Sequence, residues 1–169
     1  MPPRTLDAAV TLLAPVAEAL AISHARGVSH LDVRPGTLLV LYDGRSGGCS
    51  ARLLAAAASI DAPRSAAYLA PEQRCAAYGI AGPWTDVFAL ARVLVELVMT
   101  RAGVRTTEGQ GAVLARALSV YPALRHPTAA SFWQALARVR TSTPPALWRT
   151  GQAGIHGTSV ATSHTRSPR

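Results

Sequence analysis

The sequence predicts a mainly helical domain carrying a small β-hairpin, an α+β fold, and three observations carry that prediction. Leu6, Val10, Leu13, Ala17 and Leu20 fall four, three, four and three positions apart, which is one face of a helix. The stretch Val87 to Met99 is apolar at most positions, as a helix in the middle of a domain would be. Between these lie two short apolar runs separated by Asp43-Gly44-Arg45-Ser46-Gly47-Gly48, the pattern of a hairpin or wider loop. The length of 169 residues suits one compact domain, and an apolar fraction of 49 % against a charged fraction of 15 % supplies its core.

Each element has a local reason. Pro15 interrupts the first helical pattern, because its ring removes a donor and crowds the preceding turn. Either the helix kinks there, or a short helix ends and a longer one begins with Pro15 in its first turn. Gly27 stops the pattern as a left-handed cap position. Thr37 to Tyr42 and Ala51 to Leu54 favour strands. Four alanines follow, Ala55 to Ala58, then a loop with Pro63, Ala70-Pro71 and Gly79. Thr85 or Asp86 is the expected N-cap of the apolar helix. After a flexible Arg101 to Gly111 segment, Ala112 to Leu118 is a helix. Thr128 to Arg140 is another, capped by Thr128, with Phe132, Ala135, Leu136 and Val139 on one face. From Thr141 the chain turns to Ser, Thr, Gly, Pro, His and three Arg without an acid, the composition of a disordered tail. The expected division is a domain over 1–140 and a tail over 141–169.

Composition narrows the chemistry. The formal net charge is +8, every one of the seventeen basic residues is Arg, and the chain has neither Lys nor Asn. A mechanism needing an active-site lysine or a ligating asparagine is excluded unless a substitute serves. The Arg residues are scattered and aromatics make up 5 %, so no nucleic-acid motif emerges. Thirty-three Ala with Arg in place of Lys read as the base composition of a GC-rich genome. Cys49 and Cys75 are too few and too isolated for a disulfide scaffold or a zinc site. Met1 to Leu6 has no apolar run of signal-peptide length, and Val87 to Met99 is too short to span a bilayer and carries Arg92 and Glu96. A soluble, cytoplasmic protein is expected, with no membrane partner.

Residues 28 to 41 read Val-Ser-His-Leu-Asp-Val-Arg-Pro-Gly-Thr-Leu-Leu-Val-Leu. This resembles the catalytic loop of protein kinases, H-R-D-L-K-P-x-N followed by an apolar strand. The preceding Ala-Leu-Ala-Ile-Ser-His-Ala-Arg-Gly-Val resembles the end of the kinase αE helix. Arg64 to Glu72 resembles the segment ending in A-P-E, and Thr85-Asp86-Val87-Phe88-Ala89-Leu90 the start of αF. Arg125-His126-Pro127-Thr128-Ala129 resembles the Arg-containing turn between αH and αI. Five matches in the family's order, over roughly residues 6 to 140, are similar to the C-terminal lobe of bacterial serine/threonine kinases.

The resemblance implies a fold and a set of roles. It begins at αE, so the expected fold is a kinase-like C-lobe with the N-lobe absent, and with it the Gly-rich loop and β3 lysine that hold ATP. Asp32 stands at the catalytic base and Arg34 in the place of the catalytic-loop lysine. Leu31 replaces the Arg of H-R-D, Thr37 the Asn that binds the second Mg²⁺, and Ala55 the Asp of D-F-G that binds the first. Alanine coordinates nothing, and a neutral hydroxyl is a poor Mg²⁺ ligand. Asp32 is therefore weighed more as a loop-capping carboxylate than as a base, while Arg34 is either an anion binder or a solvated loop residue. The structural positions are retained: His30 beneath the catalytic loop, Asp86 holding that loop's backbone, and Glu72 paired with Arg125.

The function implied is a truncated, catalytically inactive kinase-like lobe acting through protein contacts, with a protein or an N-lobe as partner and no cofactor of its own. The alternative is the C-terminal part of an active kinase, using ATP and Mg²⁺, whose N-lobe comes from another chain or from upstream sequence. A basic nucleic-acid-binding protein is the third reading.

Overall fold

Five helices and one hairpin make up the computed structural model, which describes residues 5–44, 48–54, 66–99 and 106–141. The first helix, α1 (Leu6–Ala25), is capped by the Thr5 side chain, which accepts from the Ala8 N–H at 3.1 Å. Pro15 lies inside this single helix and does not divide it, so the alternative of a short helix followed by a longer one does not hold. Packing decides the matter: Leu6, Ala9, Val10, Leu13, Val16, Ala17 and Leu20 are buried on both sides of the proline. That burial outweighs the loss of one helical hydrogen bond. Length and composition alone would let α1 cross a bilayer, although its buried residues belong to the core.

Gly27 follows with φ 74°, and its N–H donates to the His24 carbonyl at 3.0 Å, closing the helix. A Cβ there meets no atom within 4 Å, so the conformation alone sets the cost of replacing it. Gly27→Ala is expected to lose about 1 kcal/mol, read as a lower urea midpoint at unchanged m-value.

The hairpin pairs β1 (Leu38–Tyr42) antiparallel with β2 (Cys49–Leu53), in the register Leu38 to Leu53, Val40 to Ala51 and Tyr42 to Cys49. A tight 3-10 turn, Pro35–Thr37, leads into it. On β2 only Ala51 is fully buried, against α1, while Leu39, Val40, Leu41 and Tyr42 of β1 are exposed on both faces of the strand.

The short α2 (Pro71–Arg74) precedes the central helix α3 (Pro83–Met99). The apolar helix starts earlier than expected, and neither Thr85 nor Asp86 is its N-cap. Pro83 opens it, its fixed φ suiting the first turn, and Thr85 reaches back to accept the Gly82 N–H at 3.0 Å. Val87, Leu90, Ala91, Val93, Leu94 and Val98 bury it against α1, α4 and α5.

The next helix, α4 (Glu108–Ala117), also starts before the expected Ala112, despite Gly109 and Gly111. Thr107 and Gln110 form a reciprocal capping box, at 3.0 and 3.2 Å, which outweighs the weak propensity of two glycines. In α5 (Ala129–Thr141), Phe132 and Leu136 are fully buried and Thr128 accepts from the Ser131 N–H at 3.3 Å. His126 is buried beside Phe132, and burial first, then the Arg116 charge, hold its imidazole pKa below the ordinary value. The tail expected from Thr141 begins no earlier than residue 142, since α5 includes Thr141; residues 142–169, with Trp148, and Ala55 with its neighbours lie outside the described residues.

Candidate functional site

The site is a loop, residues 28–37, held from below by α3. Asp86 is fully buried, and its two carboxylate oxygens accept three hydrogen bonds. The backbone N–H of His30 donates to Oδ2 at 2.8 Å and that of Leu31 to Oδ1 at 2.7 Å. The third comes from Nε2 of His24, at 2.9 Å. Nδ1 of His24 accepts the Ala129 N–H at 3.2 Å, which places the ring proton on Nε2, facing Asp86. One carboxylate thus joins α1, the loop, α3 and the start of α5.

Leu31 has φ 60°, a left-handed conformation unusual for a branched side chain. Both its peptide groups are claimed by side chains, the N–H by Asp86 and the carbonyl by Nε2 of Gln73 in α2, at 2.8 Å. The surroundings therefore enforce the strain. His30 orients the other way. Its Nε2 donates to the Leu54 carbonyl at 2.8 Å, tying the loop to the end of β2, and its Nδ1 accepts the Asp32 N–H at 3.3 Å.

Asp32 and Arg34 face one another. Nε of Arg34 donates to Oδ1 of Asp32 at 3.0 Å, and both residues are buried, Asp32 to 6 % exposure. The guanidinium folds back over Gly36, where a Cβ would lie 2.4 Å from Nη1. The space among Leu31, Asp32, Arg34, Tyr68 and Gln73 is about 10 Å³, no more than one water. Thr37 is fully buried. Its Oγ1 accepts the Arg34 N–H at 3.1 Å, and its hydroxyl points at the carbonyls of Asp32 and Arg34, each 2.9 Å away.

These residues do not fit Mg²⁺. The Thr37 oxygen is spent on the loop's own backbone, Asp32 is covered by a cation, and no cluster of three His, Cys, Asp or Glu side chains occurs among the described residues.

Below the loop, Glu72 and Arg125 form a fully buried bidentate pair, at 2.7 and 2.8 Å. Thr85 donates a further hydrogen bond to Glu72 at 2.7 Å. Burial alone would raise the Glu72 pKa, but the bonds from Arg125 and Thr85 outweigh it and hold the carboxyl below its usual value. Tyr68 anchors the segment ahead of α2 by donating to Glu96 on α3. Burial, then that hydrogen bond, pushes its phenol up to about 12. Gln73 and Tyr68 carry no role in the sequence pattern, and Thr85 figures there only as an N-cap candidate, not as a donor to Glu72. The spacings Ala70 to Gln73 and Gly82 to Thr85, each three residues, are the capping signal that marks Gln73 and Thr85.

Among the expected site residues, the loop brings His30, Asp32, Arg34 and Thr37 together over Asp86, while Glu72 and Arg125 meet in a separate buried pair. Ala55 lies outside the described residues.

No family model matches the chain. It is 34 % identical to the serine/threonine-protein kinase PkaB of Streptomyces coelicolor, over 86 % of this chain and 38 % of that protein. It is 38 % identical to the serine/threonine-protein kinase PknL of Mycobacterium tuberculosis, over 58 % of this chain and 25 % of that protein. The fold is similar to the crystal structure of the Mycobacterium tuberculosis PknI kinase domain, with a TM-score of 0.59 and 25 % identity. That match covers 79 % of this chain and 54 % of the kinase domain. The chain thus spans well under half the length of these curated relatives and about half of a kinase domain. With five motifs in order on a mostly helical lobe bearing one small antiparallel sheet, the chain belongs to the protein kinase superfamily.

Proposed function

We propose that this chain is a serine/threonine-kinase-like C-lobe that does not transfer phosphate and works in the cytoplasm through protein contacts, without a cofactor of its own. One observation carries the reading: the loop has turned its chemistry inward. Thr37 spends its hydroxyl on two backbone carbonyls, and Arg34 covers Asp32, leaving about 10 Å³ beside it. A general base must reach the proton it removes, and phosphoryl transfer depends on metal ions to neutralise charge. Alanine at residue 55, aligned by the family resemblance with the metal-binding aspartate, agrees with this reading.

The second reading is the C-terminal part of an ATP- and Mg²⁺-dependent kinase that is completed by an N-lobe. The exposed apolar strand β1, with Tyr42 at 68 % exposure and Val40 at 56 %, favours some covering layer of this kind. Thermal melts with and without MgATP, and transfer of labelled γ-phosphate to a generic acceptor protein, separate the two. The first reading expects an unchanged melting temperature and no transfer. MgATP-dependent stabilisation, or transfer abolished by Asp32→Asn, would establish the second instead.

A further inference from the structure

An apolar cavity lies between two tight turns. One turn is Ala76–Tyr78 and the other Pro122–Leu124. Its volume is about 630 Å³, within the range of sites that take several side chains. Tyr78, Ile80, Trp84, Tyr121, Pro122 and Pro127 form its apolar walls.

The walls are built before any ligand arrives. Trp84 lies across Gly82, where a Cβ would come within 2.6 Å of the indole, and its Nε1 donates to the Ile80 carbonyl at 2.9 Å. Gly79, at φ 125°, brings the first turn against Pro122 of the second. The Tyr78 and Tyr121 rings stand 6.4 Å apart at the mouth, and Ile80 and Tyr121 are 83 % and 59 % exposed. Aromatic rings with few rotatable bonds lose little entropy on binding.

Charge selects the occupant. Arg116 stands on the rim, and Arg74 lines the adjoining hollow that shares Tyr78. Both are exposed, and the only other ionisable groups lining the two hollows are Arg125, already paired with Glu72, a cysteine and two tyrosines. No carboxylate lines either hollow. A second copy of a chain with net charge +8 and residues 142–169, which hold three Arg and no acid, are both electrostatically mismatched to this rim.

We propose that this groove docks an acidic segment of a partner protein that inserts an apolar anchor into the hollow beside the Tyr78–Tyr121 pair, against Ile80, Trp84 and Pro122. The anchor fills the aromatic hollow, and carboxylates flanking it meet Arg116 and Arg74. This contact is independent of the catalytic loop, so its failure leaves the phosphate-transfer reading untouched.

The test uses the full chain and fluorescence anisotropy of a labelled peptide, Glu-Glu-Pro-Phe-Glu-Glu. Saturable binding is expected, about tenfold tighter than for the same peptide with Lys in place of Glu or Ser in place of Phe. Raising the salt from about 50 to 200 mM weakens it severalfold, as exposed charges require. Arg116→Glu and Tyr121→Ser each weaken binding by about tenfold, whereas Arg52→Glu, the same charge change on the hairpin, leaves it within about twofold. Unchanged melting curves verify that each variant is folded. Absence of saturable binding, equal binding of the Glu and Lys peptides, or equal loss from Arg52→Glu and Arg116→Glu overturns the proposal. Equal binding of the Phe and Ser peptides also overturns it, reducing the groove to a patch for polyanions.

Discussion

Replacing Arg125 with Met is expected to destabilise the protein by about 3–5 kcal/mol, because it strands the buried Glu72 carboxylate without its partner. The guanidinium makes five hydrogen bonds, two to Glu72 and one each to the Ser119, Val120 and Trp84 carbonyls. That matches the five donors an arginine owns. Its charge also sits 4.9 Å from the centre of the Phe88 ring. Lysine has three donors and no planar fork, so Arg125→Lys is expected to be destabilising as well. Adding Glu72→Gln to Arg125→Met removes the stranded charge and recovers part of the loss, measured by urea unfolding of both single variants and the double.

The pH dependence has a definite sign. The folded pKa of Glu72 is lowered, so its contribution is complete above the unfolded carboxylate value of about 4.3 and fades as pH falls through the folded value. In Arg125→Met the guanidinium no longer opposes burial and only the Thr85 and backbone hydrogen bonds remain, so the Glu72 carboxyl titrates higher than in the parent. The stability gap between parent and variant should therefore narrow in acid. A gap constant from pH 7 to pH 3, on the order of the carboxylate range, would contradict this account of the pair.

Asp86→Ala is expected to cost at least about 3 kcal/mol, since it leaves the donors of His24, His30 and Leu31 buried without an acceptor. Asp86→Asn should be little better, because its amide nitrogen presents hydrogens to groups that are themselves donors. The signature beyond stability is local. Without Asp86 nothing compels Leu31 to stay at φ 60°, and the loop from His30 to Thr37 should lose its amide protection before the helices do. Hydrogen exchange reads this directly, and equal protection of loop and helices in Asp86→Asn would show that the loop is held by other means.

Much of this architecture is legible in the residues. The four-three spacing from Leu6 to Leu20 marks the face α1 buries, and the Gly-rich link between apolar runs marks the hairpin. The helix starts were less legible. Pro83 and Thr107 open α3 and α4, each supported by a side chain three or so residues on, whereas apolar periodicity begins later than the backbone does. Pro15 shows tertiary burial overriding a local breaker.

In the site, residue identity names the groups but not what they spend themselves on. Thr37 at a ligand position reads from sequence as a poor ligand. Only the geometry puts its oxygen between two carbonyls of its own loop. Arg34 likewise has two sequence readings, anion binder or solvated residue, and its burial against the Asp32 carboxylate removes the second.

The carboxylate of Asp86 also orders events in time. It is bonded to His24, 62 positions before it, and through that ring to Ala129, 105 positions beyond His24. Contacts so distant in sequence carry a large loop-closure cost and form slowly. During synthesis the first helix must therefore wait, its histidine only half partnered, until α5 has left the ribosome. Nascent chains halted short of Ala129 would expose the apolar face of α1 to chaperones and proteases rather than to its own core.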